Sequence, residues 1–315
     1  MKKIPVILPG ILIILLCSSW GFYAHKLINR HAVFTLPTEL AVFYKQNIDQ
    51  ITEKAVDADK RCYIDTAESP RHFIDLDAYD ADALDTLPVH WSRAKEKIDE
   101  RRLLSNGIVP WQIYITYQKL VKAFIARDKT KIIRHSADLG HYVGDAHVPL
   151  HTTKNYNGQY TGQTGIHAFW ESRLPEMFAH SYKLAAGKAQ FISDPAALGW
   201  TIVYESAPLA DTVLRIEKEL SDRFSPSQKK TYLTRNNILI LTYSDPYAKA
   251  YHEALNGMVE IRMRKAIQRI GSLWYSAWIE AGQPDLRKLK NTDSEPEKEI
   301  PSPSSQTFMG REEWP

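Results

Sequence analysis

The chain has 315 residues, 44% of them hydrophobic, and a formal net charge of +3, which is enough apolar material for one large core. The near-even balance of 40 basic and 37 acidic residues excludes capture of a long polyanion by bulk charge, leaving only a local basic patch for such a role. Two cysteines are too few for a disulfide framework.

At the N-terminus Lys2 and Lys3 precede an apolar stretch from Ile4 to Leu16, and small residues follow at Cys17, Ser18 and Ser19. This pattern reads as a cleaved export signal over residues 1–19, placing the mature protein in the periplasm or outside the cell. Pro5, Pro9 and Gly10 interrupt the stretch, which is too short and broken for a bilayer-spanning helix. Leu16 stands where a lipoprotein signal normally has a small residue, so lipid attachment at Cys17 is the less favoured reading. Cleavage after Ser19 removes Cys17, leaves Cys62 with no partner for an internal disulfide, and brings the formal charge to about +1.

From Trp20 to residue 288 the pattern predicts one mainly α domain, a multi-helix bundle. Ile113, Tyr117, Leu120 and Phe124 recur at helical spacing, as do Leu255, Val259, Ala266, Ile270, Leu273 and Ala277. The apolar run Ile238 to Leu241 is ambiguous and is read as helix for want of a hairpin-type turn pair around it. Prolines divide the helices at Leu36-Pro37, Ser69-Pro70, Leu87-Pro88, Val109-Pro110, Val148-Pro149 and Asp245-Pro246, since proline removes a backbone donor and restricts the residue before it. Residues 155–165, with three glycines, read as a loop that folds over whatever lies between its flanking helices. From about Leu289 to Pro315 the composition turns to NTDSEPEKEIPSPSSQTF, with too few apolar residues to fold alone, and predicts a disordered tail. There is no internal repeat.

The densest chemical signal lies between His141 and Glu171, in HYVGDAHVPLHTT and GIHAFWES. His141, Asp145, His151, His167 and Glu171 are all side chains that bind zinc. His141 and Asp145 share one helix face at a spacing of four, and His167 with Glu171 repeats that geometry. Upstream candidates are Trp20 and His25 in WGFYAH, Asp75 in RHFID and His90 in PVHW. Pro149 ends or kinks the helix between His147 and His151, so His151 is the ligand and His147 a supporting residue whose second nitrogen finds Asp138 or a backbone oxygen. His31, His72, His135, His180 and His252 read as structural or surface residues.

Taken together, these residues resemble the superfamily of bacterial zinc-dependent phospholipases C and single-strand-specific nucleases of the S-one/P-one type. The motifs run from Trp20 to Glu171. The resemblance implies three zinc ions in the core of the bundle. One is held by Asp75, His90, His141 and Asp145. A neighbour sharing Asp145 is held by His25 and by the terminal amine and carbonyl of Trp20, and a third by His151, His167 and Glu171. It also implies Asp75 as the catalytic carboxylate, orienting the attacking water or accepting its proton.

The WGFYAH spacing is similar to that of the nucleases, whereas Glu171 is similar to the phospholipases. The leading expectation is an exported monomeric phospholipase C-type phosphodiesterase acting on phospholipids with transient membrane-surface contact. The alternative on the same scaffold is a single-strand nuclease or 3′-nucleotidase, and the alternative of another class is a catalytically inactive zinc-holding binding protein. Tyr156, Tyr160, Phe169 and Trp170 are the aromatic candidates beside the site, to stack on bases or to face choline or lipid; Trp170 reads as core.

Overall fold

The computed structural model describes residues 21–80, 83–235 and 238–289. Residues 1–20, which include the expected export signal and Trp20, and the expected tail from residue 290 onward lie outside the described residues. Helices dominate, as the periodicity predicts. The chain opens with α1 (Phe22–Ala32), α2 (Thr38–Gln46), α3 (Ile48–Lys54) and α4 (Asp57–Arg61), then the short α5 (Ala83–Thr86), α6 (Trp91–Lys97) and α7 (Glu100–Ser105). Two longer helices follow, α8 (Val109–Ala126) and α9 (Lys129–Ala146). Beyond a turn-rich segment come α10 (Ile166–Ala168), a π-helical turn (Phe169–Arg173), α11 (Leu174–Phe178) and the long α12 (Pro195–Ser221). The described chain closes with α13 (Pro226–Lys229), a hairpin of β1 (Lys230–Arg235) and β2 (Ile238–Tyr243), α14 (Asp245–Ala254) and α15 (Met258–Glu280). Among the described residues no helix is long and apolar enough to cross a membrane.

The prolines act where the sequence places them. Pro110 and Pro246 sit in the first turns of α8 and α14, where a missing backbone donor costs nothing. Ile113, Tyr117, Leu120 and Phe124 form the buried stripe of α8. The other apolar series does not lie on one helix: Leu255 caps α14, and Asn256 and Gly257 turn through positive φ before α15 begins. The larger departure is at 238–241, which forms β2 and not helix. Asn236 and Asn237, which separate the two strands in the sequence, lie outside the described residues, and an asparagine pair is by composition a turn signal.

Helix α9 is the centre of the bundle, packed against α1, α3, α8, α12 and α15. Every residue from Ser136 to Ala146 is buried. Such burial on all sides needs close neighbours, and two glycines supply one of them. A Cβ at Gly140 would stand 2.0 Å from Asn29 Oδ1, and one at Gly144 would stand 2.7 Å from Ile28 Cδ1 and 3.0 Å from His25 Nδ1. The two glycines, one helical turn apart, let α1 lie directly on α9. Asn29 sits in the gap at zero exposure and donates to the His25 carbonyl at 3.0 Å.

Gly140→Ala therefore overpacks this crossing and is expected to destabilise the protein by about 1–3 kcal/mol. Urea denaturation would measure it, and an unchanged midpoint would show that Asn29 moves aside freely.

Candidate metal centre

The crossing of α1 on α9 brings His25 onto His141, their rings stacked with centroids 4.1 Å apart. Asp145, one turn further along α9, receives three imidazoles. His25 Nε2 lies 3.3 Å from Oδ1, while His141 Nε2 at 3.2 Å and His72 Nδ1 at 2.9 Å face Oδ2. His72 also faces His141, Nδ1 to Nε2, at 3.0 Å. Asp59, from α4, closes this side with Oδ1 3.3 Å from His141 Nε2 and 3.6 Å from His72 Nδ1.

A second cluster adjoins the first. His151 Nε2 and His167 Nε2 lie 2.7 Å apart, and Glu171 Oε2 is 3.3 Å from the former and 2.9 Å from the latter. The other oxygen of Glu171 reaches His25 Nε2 at 3.2 Å, which joins the two clusters. The helix expected to carry His167 and Glu171 is locally π-helical, a wider turn of the kind that recurs at functional sites.

The orientation of the rings has a structural cause. His141 Nδ1 bonds the Ala55 carbonyl at 2.8 Å, and His151 Nδ1 bonds the His72 carbonyl at 2.7 Å. Donating there leaves each Nε2 lone pair aimed into the cluster, the outer-shell arrangement that orients metal-ligating histidines. The second bond exists because the segment holding His72 runs beside His151, with the Ile74 amide on the His151 carbonyl at 2.9 Å.

Three donor groups result, each with its ligand atoms within 4.8 Å of one another: His25, His141 and Asp145; Asp59, His72 and His141; and His151, His167 and Glu171. These buried groups can hold metal ions. Four ligands about 2.0–2.1 Å from a tetrahedral zinc stand about 3.3 Å from one another, close to most of the separations found here. Imidazole and carboxylate donors without thiolate suit zinc and similar divalent cations.

Of the residues singled out from sequence, His25, His141, Asp145, His151, His167 and Glu171 come together. Asp75 and His90 join none of the donor groups among the described residues. Asp75 is buried with its amide on the Asn106 carbonyl at 2.7 Å. His90 is exposed at the start of α6, its ring edge-on to Tyr114. Asp59 and His72, the latter expected to be a structural or surface residue, stand in the donor groups. For Asp59, in the short α4, the sequence carries no signal that separates a cluster acid from a capping acid. For His72 the only signal is its position three residues before Asp75, in the segment already noticed.

His147 does stand outside the donor groups. Asp138 is occupied by Arg61 at 2.9 Å, and His147 Nδ1 bonds its own helix at the Val143 carbonyl. Its Nε2 faces Arg269 at 3.1 Å, and burial with Arg262 and Arg269 holds the imidazole well below its ordinary range. Among the aromatics, Phe169 and Trp170 are core, Tyr156 sets its ring against His167, and Tyr160 is 73% exposed on the loop.

Electrostatics tie the centre to protons. Burial opposes a charged His141, but Asp145 and Asp59 outweigh it and hold the imidazole well above its ordinary range. His25 and His151 are raised likewise, against burial, by Asp145 with Glu171 and by Glu171. Asp145 and Glu171 are driven well below the usual carboxylate range, burial being outweighed by His141 and His151 respectively, with the other imidazoles assisting. In the metal-free centre these carboxylates favour a proton on each imidazole, with which a bound cation competes.

Two outcomes follow. Titrating zinc into metal-free protein in buffers of different ionisation enthalpy should show proton release and an affinity that falls as pH is lowered; a pH-independent affinity would contradict the raised imidazoles. Elemental analysis should find less bound metal in Asp59→Asn and His72→Ala than in the parent chain, and an undiminished content in His90→Ala. The reverse pattern would restore His90 to the ligand set. No protein-family model and no curated protein match the chain, so the reading of this centre rests on its own geometry.

Proposed function

We propose that this protein is an exported zinc-dependent phosphodiesterase of the phospholipase C type. The observation that carries the reading is the linked pair of buried donor clusters, with Asp145 shared among three imidazoles and Glu171 spanning from His25 to His151 and His167. In this reading Asp59, His72, His141 and Asp145 would hold one zinc ion, His25 and Asp145 would hold a second with Trp20, which lies outside the described residues, as its expected further ligand, and His151, His167 and Glu171 would hold a third. Zinc at such positions supplies Lewis acidity, acidifying water and neutralising phosphoryl oxygens.

The chain's own groups do the rest. Asp59 is the carboxylate of the centre that keeps solvent access, its side chain 27% exposed while those of Asp145 and Glu171 are 2% and 10% exposed. It accepts the proton of the attacking water, the role that the sequence alone directs to Asp75. The buried walls exclude other water and fix the donors, so little reorganisation accompanies charge development on the phosphate. Glu171 and the near-neutral charge favour phospholipid over nucleic acid. The spacing of Trp20 and His25, with the exposed Tyr160 as a stacking ring, supports the second reading, a single-strand nuclease or 3′-nucleotidase.

Processed, zinc-loaded protein should release phosphocholine from phosphatidylcholine vesicles, lose that activity with a chelator, and leave single-stranded DNA intact. Release of nucleotides alone would establish the second reading, and a metal-replete protein inert toward both would mark a zinc-holding binding protein. In excess zinc, Asp59→Asn should lower turnover by about 10²-fold or more, with Asp75→Asn close to the parent. Full turnover in Asp59→Asn would remove it from the proton-accepting role.

A further inference from the structure

The hairpin β1–β2 is not explained by the metal centre. Its register pairs Tyr232 with Leu241, Leu233 with Ile240 and Thr234 with Leu239. Successive side chains of a strand point to opposite faces, so Tyr232, Leu239 and Leu241 share one face, and Leu233 and Ile240 the other. Tyr232, Leu239 and Leu241 are 62%, 63% and 53% exposed, and Leu233 is 37% exposed. Large apolar side chains thus emerge on both sides of a ribbon that no third strand joins among the described residues. A two-stranded hairpin alone is marginal in water, and apolar surface of this kind marks an interaction site.

Charge identifies the occupant. From Asp222 to Asp245 the chain carries Arg223, Lys229, Lys230 and Arg235 against Asp222 and Asp245 at its two ends, so four basic and two acidic residues leave the segment net basic. We propose that the hairpin docks this protein on an anionic phospholipid surface, its leucines and Tyr232 entering the apolar boundary and the net basic charge of the segment drawing it to the headgroups. A lipid phase accepts both faces of the ribbon at once, whereas a folded partner covers one face or one edge. A second copy of this chain would set one net basic segment against another.

The root of the hairpin is built into the wall of the metal centre. Tyr243 stacks on Phe169 with centroids 3.9 Å apart, and Lys230 Nζ lies 3.3 Å from the Tyr243 ring centroid. Phe169 lies between His167 and Glu171 in the chain. Docking therefore anchors the segment that carries two of the donors at the lipid surface. The inference concerns binding and stands independently of the hydrolase reading.

The test is co-sedimentation of the zinc-loaded chain with vesicles of phosphatidylcholine alone and of phosphatidylcholine with an equal part of phosphatidylglycerol. The parent chain should pellet with the anionic vesicles and less with the neutral ones, and added salt should release it. Leu239→Ser with Leu241→Ser should weaken that binding by at least about tenfold, through loss of two leucine side chains from an apolar phase. The variant should keep the parent's zinc content and its turnover, if any, of a water-soluble phosphodiester. Equal pelleting of parent and variant, no pelleting of the parent, or no preference for anionic vesicles would each overturn the proposal. So would a lipid-free parent that sediments as a dimer beside a monomeric variant, which assigns the hairpin to a second copy. Vesicle binding without hydrolysis of any phosphodiester would retain the docking and refute the enzyme.

Discussion

How closely α1 can approach α9 decides whether there is a centre at all. Gly140 and Gly144 remove the two Cβ atoms that would hold the helices apart, and Asn29 fills the space at one of them. Only then does His25 stack on His141 and reach Asp145. A wider crossing would leave Asp145 a buried carboxylate short of one imidazole, and an unpaired buried charge is costly. Packing and electrostatics are here the same constraint: the small residues that close the bundle also complete the polar cluster inside it.

The cluster is kept in place by neutral hydrogen bonds as much as by charge. The Ala55 and His72 carbonyls fix His141 and His151 through their far nitrogens, which leaves the near nitrogens to the cluster. Around this lies a second polar layer. Glu68, at zero exposure, is held by Arg61, Arg71 and Tyr142 beside His72, and burial is outweighed by His72 and Arg61, which hold its carboxyl below the usual carboxylate range. On the opposite flank Arg262 donates to the His147 carbonyl at 2.9 Å. Cations outside and imidazoles inside thus compensate the carboxylates that the bundle buries, and a divalent ion can take over the part played by imidazole protons.

The hairpin and the donor cluster meet in one aromatic stack. Phe169 lies under Tyr243 and faces Tyr251, while Tyr247 accompanies Tyr243, so the π-helical turn and the root of the ribbon share a rigid wall. Tyr247 donates to Glu217, which also receives Gln163 from the loop before His167. The loop, the turn bearing Glu171 and the hairpin are therefore anchored to α12 through one buried carboxylate.

Local order was legible in the residues themselves. The stripe of α8, the proline-marked helix starts and the pairs His141 with Asp145 and His167 with Glu171 all follow from a period of 3.6 and from the loss of a backbone donor, which are properties of a few consecutive residues. The strand at 238–241 was within reach of the same reasoning, because Asn236 and Asn237 announce it. Asp59 and His72 were not, because nothing within their own segments distinguishes a ligand from a capping acid or a packed imidazole. Their roles are set by a backbone bond from Ile74 to His151, 77 positions apart, and by the seating of α4 against α9. Asp75 and His90 have the right chemistry in the right order, yet Asp75 is buried with its backbone amide on the Asn106 carbonyl and His90 is exposed, and neither joins a donor group among the described residues. The type of donor is a property of the side chain, whereas convergence of donors is a property of the packed backbone, and only the tertiary structure decides which acids and imidazoles share a few ångströms.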